Sequence, residues 1–397
     1  MTDLKAQYAA IKKEIDSAIQ RVVDSGRFIL GSEVEAFEQE MSHYCGTEFA
    51  VGVASGTDAL LLGLRALGVG RGDIVITSPF TFFATAGAIH NLGAIPLFVD
   101  IDSQDFNLDP KCLASFLEGK SKIQAHSMAG NTAIERTNLK VILPIHLYGQ
   151  MADMTSIMQL AGDHGLAVLE DTAQAIGASQ SMTTCDALGC TSSNRRVAGT
   201  VGDAGTLSFF PSKNLGAAGD AGMVLTNRED LADCLRVLRV HGGRQKYVHE
   251  TVGYNSRLDE LQAAVLVAKF KHLPAWSAAR ASNAEFYQHL FESKGLGQIC
   301  KIPRVGPGNE HIFHQYVIRV PRRDELRSFL AQKGIGSEVY YPIPLHQQEC
   351  FRYLGYRPGD LPESEKAANE VLALPIYPEL RQDQLIYVVE AIAEFYA

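Results

Sequence analysis

The first half of the chain alternates between two patterns of apolar residues. Apolar side chains at helical spacing, three or four positions apart, predict helices over residues 3–25, 33–45, 57–67, 81–91, 110–118 and 153–164. Short apolar runs predict strands over residues 49–53, 74–77, 95–99, 141–144 and 167–170. Strands that alternate with helices build a mostly parallel sheet through crossover connections, so this half is predicted to be an α/β structure.

The second half loses this regular alternation. Strands are predicted over residues 223–226 and 313–320, and helices over residues 228–240, 258–290, 324–333 and 383–396. We therefore predict a large α/β domain over residues 1–245 and a smaller α+β domain over residues 246–397.

Two polar stretches interrupt the pattern, over residues 119–138 and 179–200. Both are rich in Ser, Thr, Asn and Gly and are predicted to be surface insertions or flexible loops. The second contains Cys185 and Cys190 but no further ligands at metal-binding spacing, so no metal site is predicted. The seven cysteines are odd in number and scattered, which favours reduced thiols in a cytoplasm over a disulfide framework.

Composition excludes several classes of protein. With 397 residues, 46% of them hydrophobic, the chain can bury a sizeable core. Its net charge of −9 argues against a nucleic-acid partner, which requires a basic surface. No run approaches the roughly 18 apolar residues of a membrane span, and the N-terminal residues lack the apolar core of a signal peptide. A cytoplasmic protein that does not bind membranes is expected.

A glycine-rich loop carries a single lysine. The sequence SFFPSKNLGAAGDAG, over residues 208–222, follows a predicted strand and contains Lys213. In parallel sheets ligands bind at the carboxyl ends of the strands, where this loop is expected to lie. Most lysines are solvated, so the loop alone does not give Lys213 a function.

Two other strand ends carry polar residues. Asp171 follows the nearly all-apolar strand LAVLE. A buried carboxylate there suggests a neighbouring cation, although capping of a following helix explains it equally well. The sequence Ser55-Gly56-Thr57-Asp58 stands where a strand gives way to a helix, and its free amides suit a phosphate, but helix capping requires the same residues.

Together these groups match what pyridoxal phosphate requires. A lysine forms the Schiff base, an aspartate stabilises the protonated ring nitrogen, and a helix N-terminus binds the phosphate. The aromatic run TFFAT at residues 81–85 offers a ring that can stack on the cofactor, although core packing explains Phe80 and Phe83 better. The freed amine of Lys213 would then transfer protons as general base and acid.

The chain resembles the DegT-type nucleotide-sugar aminotransferases, a branch of the fold-type I pyridoxal-phosphate enzymes. The resemblance runs nearly end to end, through the segments DLKAQY, ASGTDAL, TFFATAGAI, PIHLYGQ, EDTAQAIGA, SFFPSKNLGAAGDAG, GYNSRLDELQAAVL, YYPIPLHQQ and LALPIYP. It implies a three-layer fold with a mostly parallel central sheet, and a smaller C-terminal α+β domain.

The resemblance also implies which residues bind the cofactor. Lys213 stands at the position of the Schiff-base lysine, Asp171 at that of the partner of the pyridine nitrogen, and Gln174 near the ring hydroxyl. The remaining implied cofactor ligands are the stacking residue Phe82 and the phosphate ligands Gly56, Thr57 and Ser208.

Further residues are implied outside this group. Asn255 in GYNSR matches the family asparagine that reaches the phosphate in the neighbouring subunit, which implies a homodimer with shared sites. Arg257, Tyr341 and His346 match segments that lie near the nucleotide sugar, where polar groups suit a diphosphate.

The implied reaction moves the amino group of L-glutamate to a keto sugar linked to UDP or dTDP. The segments GYNSRLDELQAAVL and DLKAQY are more similar to members that aminate carbon 3 than to those that aminate carbon 4. The products would feed lipopolysaccharide, another glycan or a glycosylated metabolite. A 4-keto sugar aminotransferase and a non-catalytic sensor that binds cofactor or nucleotide sugar stay open as alternatives.

Two other functional interpretations fit the sequence less well. A dehydratase of this fold has a histidine at the position of Lys213. A dinucleotide fingerprint does not fit the glycines of GVGRGD, because they precede a strand instead of following one. The chain also departs from the family pattern, since Lys213 follows Asp171 by 42 positions and Ala218 stands where an aromatic residue is common.

Overall fold

A computed structural model describes residues 2–120, 138–185 and 191–397, with the backbone alone for residues 183–185 and 191–193. The predicted polar insertion at residues 119–138 therefore lies almost entirely outside the described residues.

Within the described ranges, two helices are followed by alternating strands and helices up to about residue 171, and four further strands precede the next α-helix. The α-helices are α1 (Leu4–Ser25), α2 (Ser32–Cys45), α3 (Gly56–Ala66), α4 (Ala84–Asn91), α5 (Pro110–Leu117), α6 (Met154–His164), α7 (Glu229–Leu238), α8 (Glu260–Phe270), α9 (Leu273–Ser293), α10 (Arg323–Gln332), α11 (Pro362–Glu370) and α12 (Gln382–Tyr396). The strands are β1 (Phe49–Val53), β2 (Ile74–Thr77), β3 (Ile95–Phe98), β4 (Leu139–Leu143), β5 (Ala167–Asp171), β6 (Ser179–Cys185), β7 (Thr191–Val197), β8 (Ala204–Ser208), β9 (Gly222–Thr226), β10 (Asn309–Glu310), β11 (Tyr316–Arg319) and β12 (Val371–Leu374).

A seven-stranded sheet forms the centre of the molecule, in the order β1-β9-β8-β5-β4-β2-β3. Only β9 runs opposite to the other strands: it pairs antiparallel with β1 and β8, whereas the pairs from β8 to β3 are parallel. The predicted mostly parallel sheet is thereby confirmed. The carboxyl ends of β1, β8, β5, β4 and β2 consequently lie along one edge of the sheet, where ligands bind in this type of fold.

Helices cover both faces of this sheet. Side chains of a strand point alternately to opposite faces, and β9 shows the result. Val224 packs in a core with α3, α4 and α7, whereas Met223 and Leu225 pack on the other face with α2 and α8. Helices α5 and α6 cover that second face beside β2, β3 and β5. The sheet therefore forms the middle of three layers, as predicted.

A buried carboxylate fixes α2 to α8. Helix α2 follows Gly31, which has no side chain to cap the helix. Glu260, the first residue of α8, accepts hydrogen bonds instead from the amides of Gly31 (2.6 Å), Glu33 (3.1 Å) and Val34 (3.0 Å). A carboxylate at a helix N-terminus is favourable because it satisfies free amides and opposes the helix dipole.

The sequence predicts a surface insertion or a flexible loop over residues 179–200, and the loop alternative is wrong, because most of the described part of this stretch is β-strand. Strands β6 and β7 form a hairpin, and β10 adds a third strand to it. The stretch was missed because its residues are polar on both faces, so the alternation that identifies a half-buried strand is absent. Its threonines nevertheless favour extended backbone.

The C-terminal part is organised around an apolar core that also includes Phe80, Phe106 and Tyr148 of the N-terminal half. Helices α9, α10 and α12 pack around β11 and β12, with Tyr287, Phe291 and Tyr316 buried among them. The division into domains at residue 245 stays a prediction. Helix α8, which that division assigns to the smaller domain, packs against α1 and α2. None of the helices in the described ranges has the length and apolar character needed to cross a bilayer.

Candidate active site

The carboxyl ends of β5 and β8 lie side by side, next to the first turn of α3. Asp171, the last residue of β5, pairs in register with Thr206 of β8, and Ser208 ends β8. Gly56 begins α3 so close to Ser208 that a Cβ on Gly56 would lie 2.5 Å from the Cβ of Ser208. The close approach requires glycine, and it places the first amides of α3, which have no partners within the helix, beside the end of β8.

Asp171 is buried, with 5% of its surface exposed. Its Oδ2 accepts a hydrogen bond from Oγ1 of Thr85 (2.8 Å), and its Oδ1 accepts one from the amide of Ala173 (3.2 Å). Burial raises the pKa of this carboxyl, whereas the two hydrogen bonds and the positive charge of Lys213 oppose the rise. Because these are the only two donors to Asp171 among the described residues, its carboxylate has lone pairs left to stabilise a further cation.

The preceding residue, Glu170, is fully buried and holds the end of β5 in place. Its two oxygens accept four hydrogen bonds of 2.7–3.0 Å, from Nε2 of His146 and from the amides of Gly199, Val201 and Gly202. The Nδ1 of His146 accepts from the amide of Ala152 (3.1 Å), so the ring proton lies on Nε2. Because Glu170 and Asp171 are consecutive, this network also fixes the position of Asp171.

We expect the substitution Glu170→Gln to destabilise the protein by about 2–4 kcal/mol, because an amide nitrogen would face donors that now bind a carboxylate oxygen. The matched control is Glu349→Gln, whose carboxylate is 78% exposed and pairs only with Arg352 on the surface. The urea midpoint of unfolding measures the stability of both variants. An unchanged midpoint for Glu170→Gln would contradict the structural role of the network.

Lys213 lies in the loop between β8 and β9. Its backbone amide donates to the carbonyl of Phe210 (2.8 Å), which starts a tight turn. Burial lowers the pKa of the Lys213 amine to about 8, against the opposing effect of the Asp171 charge. Near pH 8 a large fraction of the amine is therefore neutral, the form that attacks a carbonyl carbon.

Asn214 connects this loop to the segment before β11. Its Nδ2 donates to the carbonyl of Ile312 (3.3 Å), and its Oδ1 accepts from Nδ1 of His314 (3.0 Å). Burial, together with the positive charges of Lys213 and Arg280, lowers the pKa of His314 well below its usual value. The imidazole of His314 is therefore neutral beside the lysine loop.

Gln174, Tyr341 and Phe82 form a second group next to Asp171. Oε1 of Gln174 accepts from the amide of Tyr148 (2.8 Å), and its Nε2 donates to the hydroxyl of Tyr341 (2.9 Å). Burial raises the pKa of Tyr341, and the charge of Asp171 acts on it in the same direction. The ring of Phe82 lies 6.3 Å from that of Tyr341 and is 57% exposed, so one face is free to pack against a ligand.

The sequence model of the DegT/DnrJ/EryC1/StrS aminotransferase family matches residues 9–393. The chain belongs to this family. The family predicted from the sequence segments is thereby confirmed, and the protein is an aminotransferase.

Curated relatives match this aminotransferase over nearly its whole length. It is 48% identical to a pleiotropic regulatory protein of Geobacillus stearothermophilus, over 100% of this chain and 98% of that relative. It is 43% identical to the UDP-N-acetyl-3-dehydro-alpha-D-glucosamine 3-aminotransferase of Acidithiobacillus ferrooxidans, over 99% and 96%. It is 41% identical to the dTDP-3-amino-3,4,6-trideoxy-alpha-D-glucose transaminase of Streptomyces venezuelae, over 99% and 95%.

Solved structures agree with the fold and the cofactor. The crystal structure of DesV from S. venezuelae superposes with a TM-score of 0.88 at 40% identity, covering 99% of this chain and 97% of that one. NtdA from Bacillus subtilis, solved with bound PMP, superposes with a TM-score of 0.80 at 30% identity, covering 97% and 82%. The three-layer fold and the predicted cofactor, pyridoxal 5′-phosphate, are thereby confirmed for this aminotransferase.

The residues at the sheet edge fit this cofactor. The aminotransferase presents an amine with a lowered pKa at Lys213, a buried carboxylate with free lone pairs at Asp171, and helix amides at Gly56 and Thr57. These are the donors and acceptors that an aldehyde, a protonated ring nitrogen and a phosphate require.

Asn255 and Arg257 lie on the loop between α7 and α8. Asn255 is exposed. Arg257 lines an open cleft of ≈ 830 Å³, whose other basic lining residues are His241, Arg244, Lys246 and His249. The same loop exposes the apolar side chains of Tyr247 (83%) and Val252 (85%).

His346 does not join the group around Lys213 in this structure. It is buried, its Nε2 lies 3.3 Å from Oε1 of Glu365, and its ring centroid is 5.8 Å from that of Tyr356. Burial lowers the pKa of its imidazole. Its assignment to the nucleotide sugar stays a prediction.

Sequence reasoning missed Thr85, Glu170, His146 and His314 as residues of the site. A signal existed for two of them, because His146 in PIHLYGQ and Glu170 in EDTAQ both stand at the ends of predicted strands. Thr85 and His314 gave no signal, since their partners lie 86 and 100 positions away in the sequence.

Proposed function

We propose that this aminotransferase moves the amino group of L-glutamate to carbon 3 of a UDP- or dTDP-linked keto hexose, giving the 3-amino sugar and 2-oxoglutarate. The observation that carries the proposal is the location of Asp171 at the end of β5 and of Lys213 in the loop that follows the neighbouring strand β8, beside the first turn of α3, where their opposite charges act on each other. Support for carbon 3 comes from two relatives named for 3-amino sugars, 43% and 41% identical over nearly the whole chain.

The proposed roles of the cofactor ligands follow from their chemistry. Lys213 binds the aldehyde carbon, Asp171 holds the proton of the ring nitrogen, and Gln174 lies near the ring hydroxyl. Phe82 covers a ring face. The phosphate ligands are the amides and hydroxyls of Gly56, Thr57 and Ser208.

Lys213 is the proposed proton-transfer group. The bound cofactor supplies a carbonyl group that takes up the amino group and a ring that accepts the electron pair of the broken C–H bond. Nζ of Lys213, displaced from the aldehyde carbon by the amino group of L-glutamate, would remove the proton from the amino-bearing carbon of L-glutamate and deliver a proton to the carbon that is to carry the transferred amino group. Its lowered pKa suits both roles, because an amine with a pKa of about 8 exists in both forms near neutral pH.

The basic cleft around Arg257 is the proposed site of the nucleotide diphosphate. Its arginines, lysine and histidines can donate charge-assisted hydrogen bonds to phosphate oxygens. Tyr341 is a proposed substrate residue beside the ring site, since its hydroxyl accepts a hydrogen bond from Gln174. His346 completes the proposed substrate residues.

The working form is proposed to be a cytoplasmic homodimer, in which Asn255 of the partner subunit binds the cofactor phosphate. Its exposure, and that of the apolar side chains of Tyr247 and Val252 on the same loop, support this role. Each site would then need residues of both chains.

We predict that mixed dimers of Lys213→Ala and Asn255→Ala chains recover activity. If Asn255 serves the neighbouring site, each mixed dimer contains one site with both natural residues. Random exchange then restores about a quarter of the wild-type activity at limiting cofactor, because half of the dimers are mixed and half of their sites are complete. If the activity of the mixture were no greater than the summed activities of the two separate variants, Asn255 would act within its own chain.

The reaction is tested by following ¹⁵N from L-glutamate into candidate sugars. UDP-linked 3-keto-N-acetylglucosamine, dTDP-linked 3-keto-6-deoxyglucose and their 4-keto counterparts are each incubated with the enzyme, and NMR locates the label. We expect the labelled nitrogen to be bonded to carbon 3. Label on carbon 4 would assign the enzyme to the alternative specificity.

A regulatory function is the second candidate, because the relative from Geobacillus stearothermophilus is named as a regulatory protein. A sensor would bind cofactor or nucleotide sugar without turnover. Binding without ¹⁵N transfer to any of the four sugars would therefore favour it.

A further inference from the structure

Helix α8 lies directly against the loop that carries Lys213. Two of its side chains, seven residues and so about two turns apart, bond to consecutive parts of this loop. Oε1 of Gln262 accepts from the amide of Ala218 (2.9 Å), and Nζ of Lys269 donates to the carbonyl of Gly216 (2.6 Å). Leu215 and Ala217 of the loop are buried in the same apolar cluster as Ala263 and Leu266 of α8.

Lys269 occupies an unfavourable place for an amine. Only 6% of its surface is exposed, and its bond to Gly216 is the one hydrogen bond its Nζ makes among the described residues. Burial lowers the pKa of the amine to about 8. An amine can donate three hydrogen bonds, so burying this one costs free energy that a single bond to a carbonyl only partly offsets.

The loop itself transmits the position of Gly216 to Lys213. The amides of Lys213 and Ala217 donate to the carbonyls of Phe210 and Phe209, both at 2.8 Å, which closes the loop on itself. A Cβ on Gly216 would lie 2.3 Å from the carbonyl oxygen of Pro211, so the two sides of the turn are in contact. A shift of residues 216–218 therefore moves the backbone around Lys213.

We propose that Lys269 and Gln262 are positioning residues that clamp this loop to α8 and so align the amine of Lys213 for proton transfer. The proposal rests on the role of Lys213 given above. The two residues do not touch the substrate or the reacting atoms, and their effect passes through the backbone of residues 213–218. Misplacement of a reacting group by about 1 Å can cost up to 100-fold in rate.

The test compares Lys269→Met with Lys271→Met in the complete enzyme. Lys271 directly follows the last residue of α8, its side chain is 60% exposed, and it pairs with Glu14. We expect Lys269→Met to lower kcat per bound cofactor by ten- to 100-fold, with KM for L-glutamate and keto sugar within about twofold of wild type. Lys271→Met should match wild type in both constants.

Gln262→Leu provides a second variant in case Lys269→Met folds poorly, because Gln262 is only partly buried. It should lower kcat in the same way. In the double variant with Lys269→Met, the fold-reduction in kcat should be smaller than the product of the two separate fold-reductions, because either change frees the same loop. Lys269→Gln, which keeps a donor, should recover part of the rate.

A merely structural role of Lys269 would lower the melting temperature and the fraction of sites that bind cofactor, and leave the rate per bound site unchanged. That result, or a loss confined to KM, would overturn the proposal. Lys213→Ala is measured alongside. If it kept full turnover, the proposed role of Lys213 would fail first; if it lost turnover while Lys269→Met and Gln262→Leu kept it, only the clamp would fail.

Discussion

Lys213→Ala should abolish transamination while leaving the fold intact. The loss should be at least about 10³-fold, because the variant lacks both the amine that binds the cofactor aldehyde and the group that transfers the proton. The Nζ of this half-buried lysine makes no hydrogen bond among the described residues. Its removal should therefore leave the free energy of unfolding in urea unchanged or slightly raised. Activity with L-glutamate and the visible absorption of bound pyridoxal phosphate report the two functions separately.

The control for this variant is Lys301→Ala, an exposed lysine outside the site. It should retain wild-type activity. A small primary amine added to Lys213→Ala should restore part of the rate, since the missing group is a base at a defined place. Normal turnover by Lys213→Ala would show that another residue performs the proton transfer.

Asp171→Asn should lower kcat by about 10²- to 10³-fold. Asparagine has nearly the same shape and can still accept from Thr85 or Ala173, so the change removes mainly the negative charge. A cationic ring nitrogen would then be buried without its counter-ion, which costs about 3–5 kcal/mol. The ring is a weaker electron acceptor when that nitrogen loses its proton, so the rate of C–H cleavage falls while cofactor is still bound.

The matched control is Asp105→Asn. Burial raises the pKa of Asp105 to about 6, so it is also a perturbed carboxyl, but it lies before α5 and outside the site. Single-turnover measurements with L-glutamate should show a loss for Asp171→Asn alone. Equal rates for wild type and Asp171→Asn would contradict the pairing of Asp171 with the ring nitrogen.

Much of the central sheet could be predicted because its strands are short and nearly all apolar. Strands β1, β2 and β5 lie within one residue of the predicted bounds, since a strand buried on both faces has a continuous apolar pattern. The hairpin β6–β7 gave the opposite pattern, polar on both faces, and was therefore missed. Helix α11 and strand β12 were missed as well, because the short segment EKAANEVLAL has no clear period.

The site could be predicted only in part, because a local sequence pattern marks the residues at strand ends but not their distant partners. Lys213, Asp171 and Gly56 each stand where a predicted strand meets a loop or a helix, so sequence alone places them at one edge of the sheet. The bonds from Lys269 to Gly216 and from His314 to Asn214 join residues 53 and 100 positions apart. No local pattern marks such partners, and a buried lysine within a helix is not distinguishable from an exposed one by its spacing.

The most direct test of the central claim is the visible absorption of the purified enzyme during titration with L-glutamate. With pyridoxal phosphate bound through Lys213, the protein should be yellow. L-Glutamate should bleach the band with release of one 2-oxoglutarate per site, and a 3-keto nucleotide sugar should restore it. A protein that stays colourless with added pyridoxal phosphate, or a yellow one that L-glutamate does not bleach, would contradict the proposed transfer of the amino group from L-glutamate through Lys213.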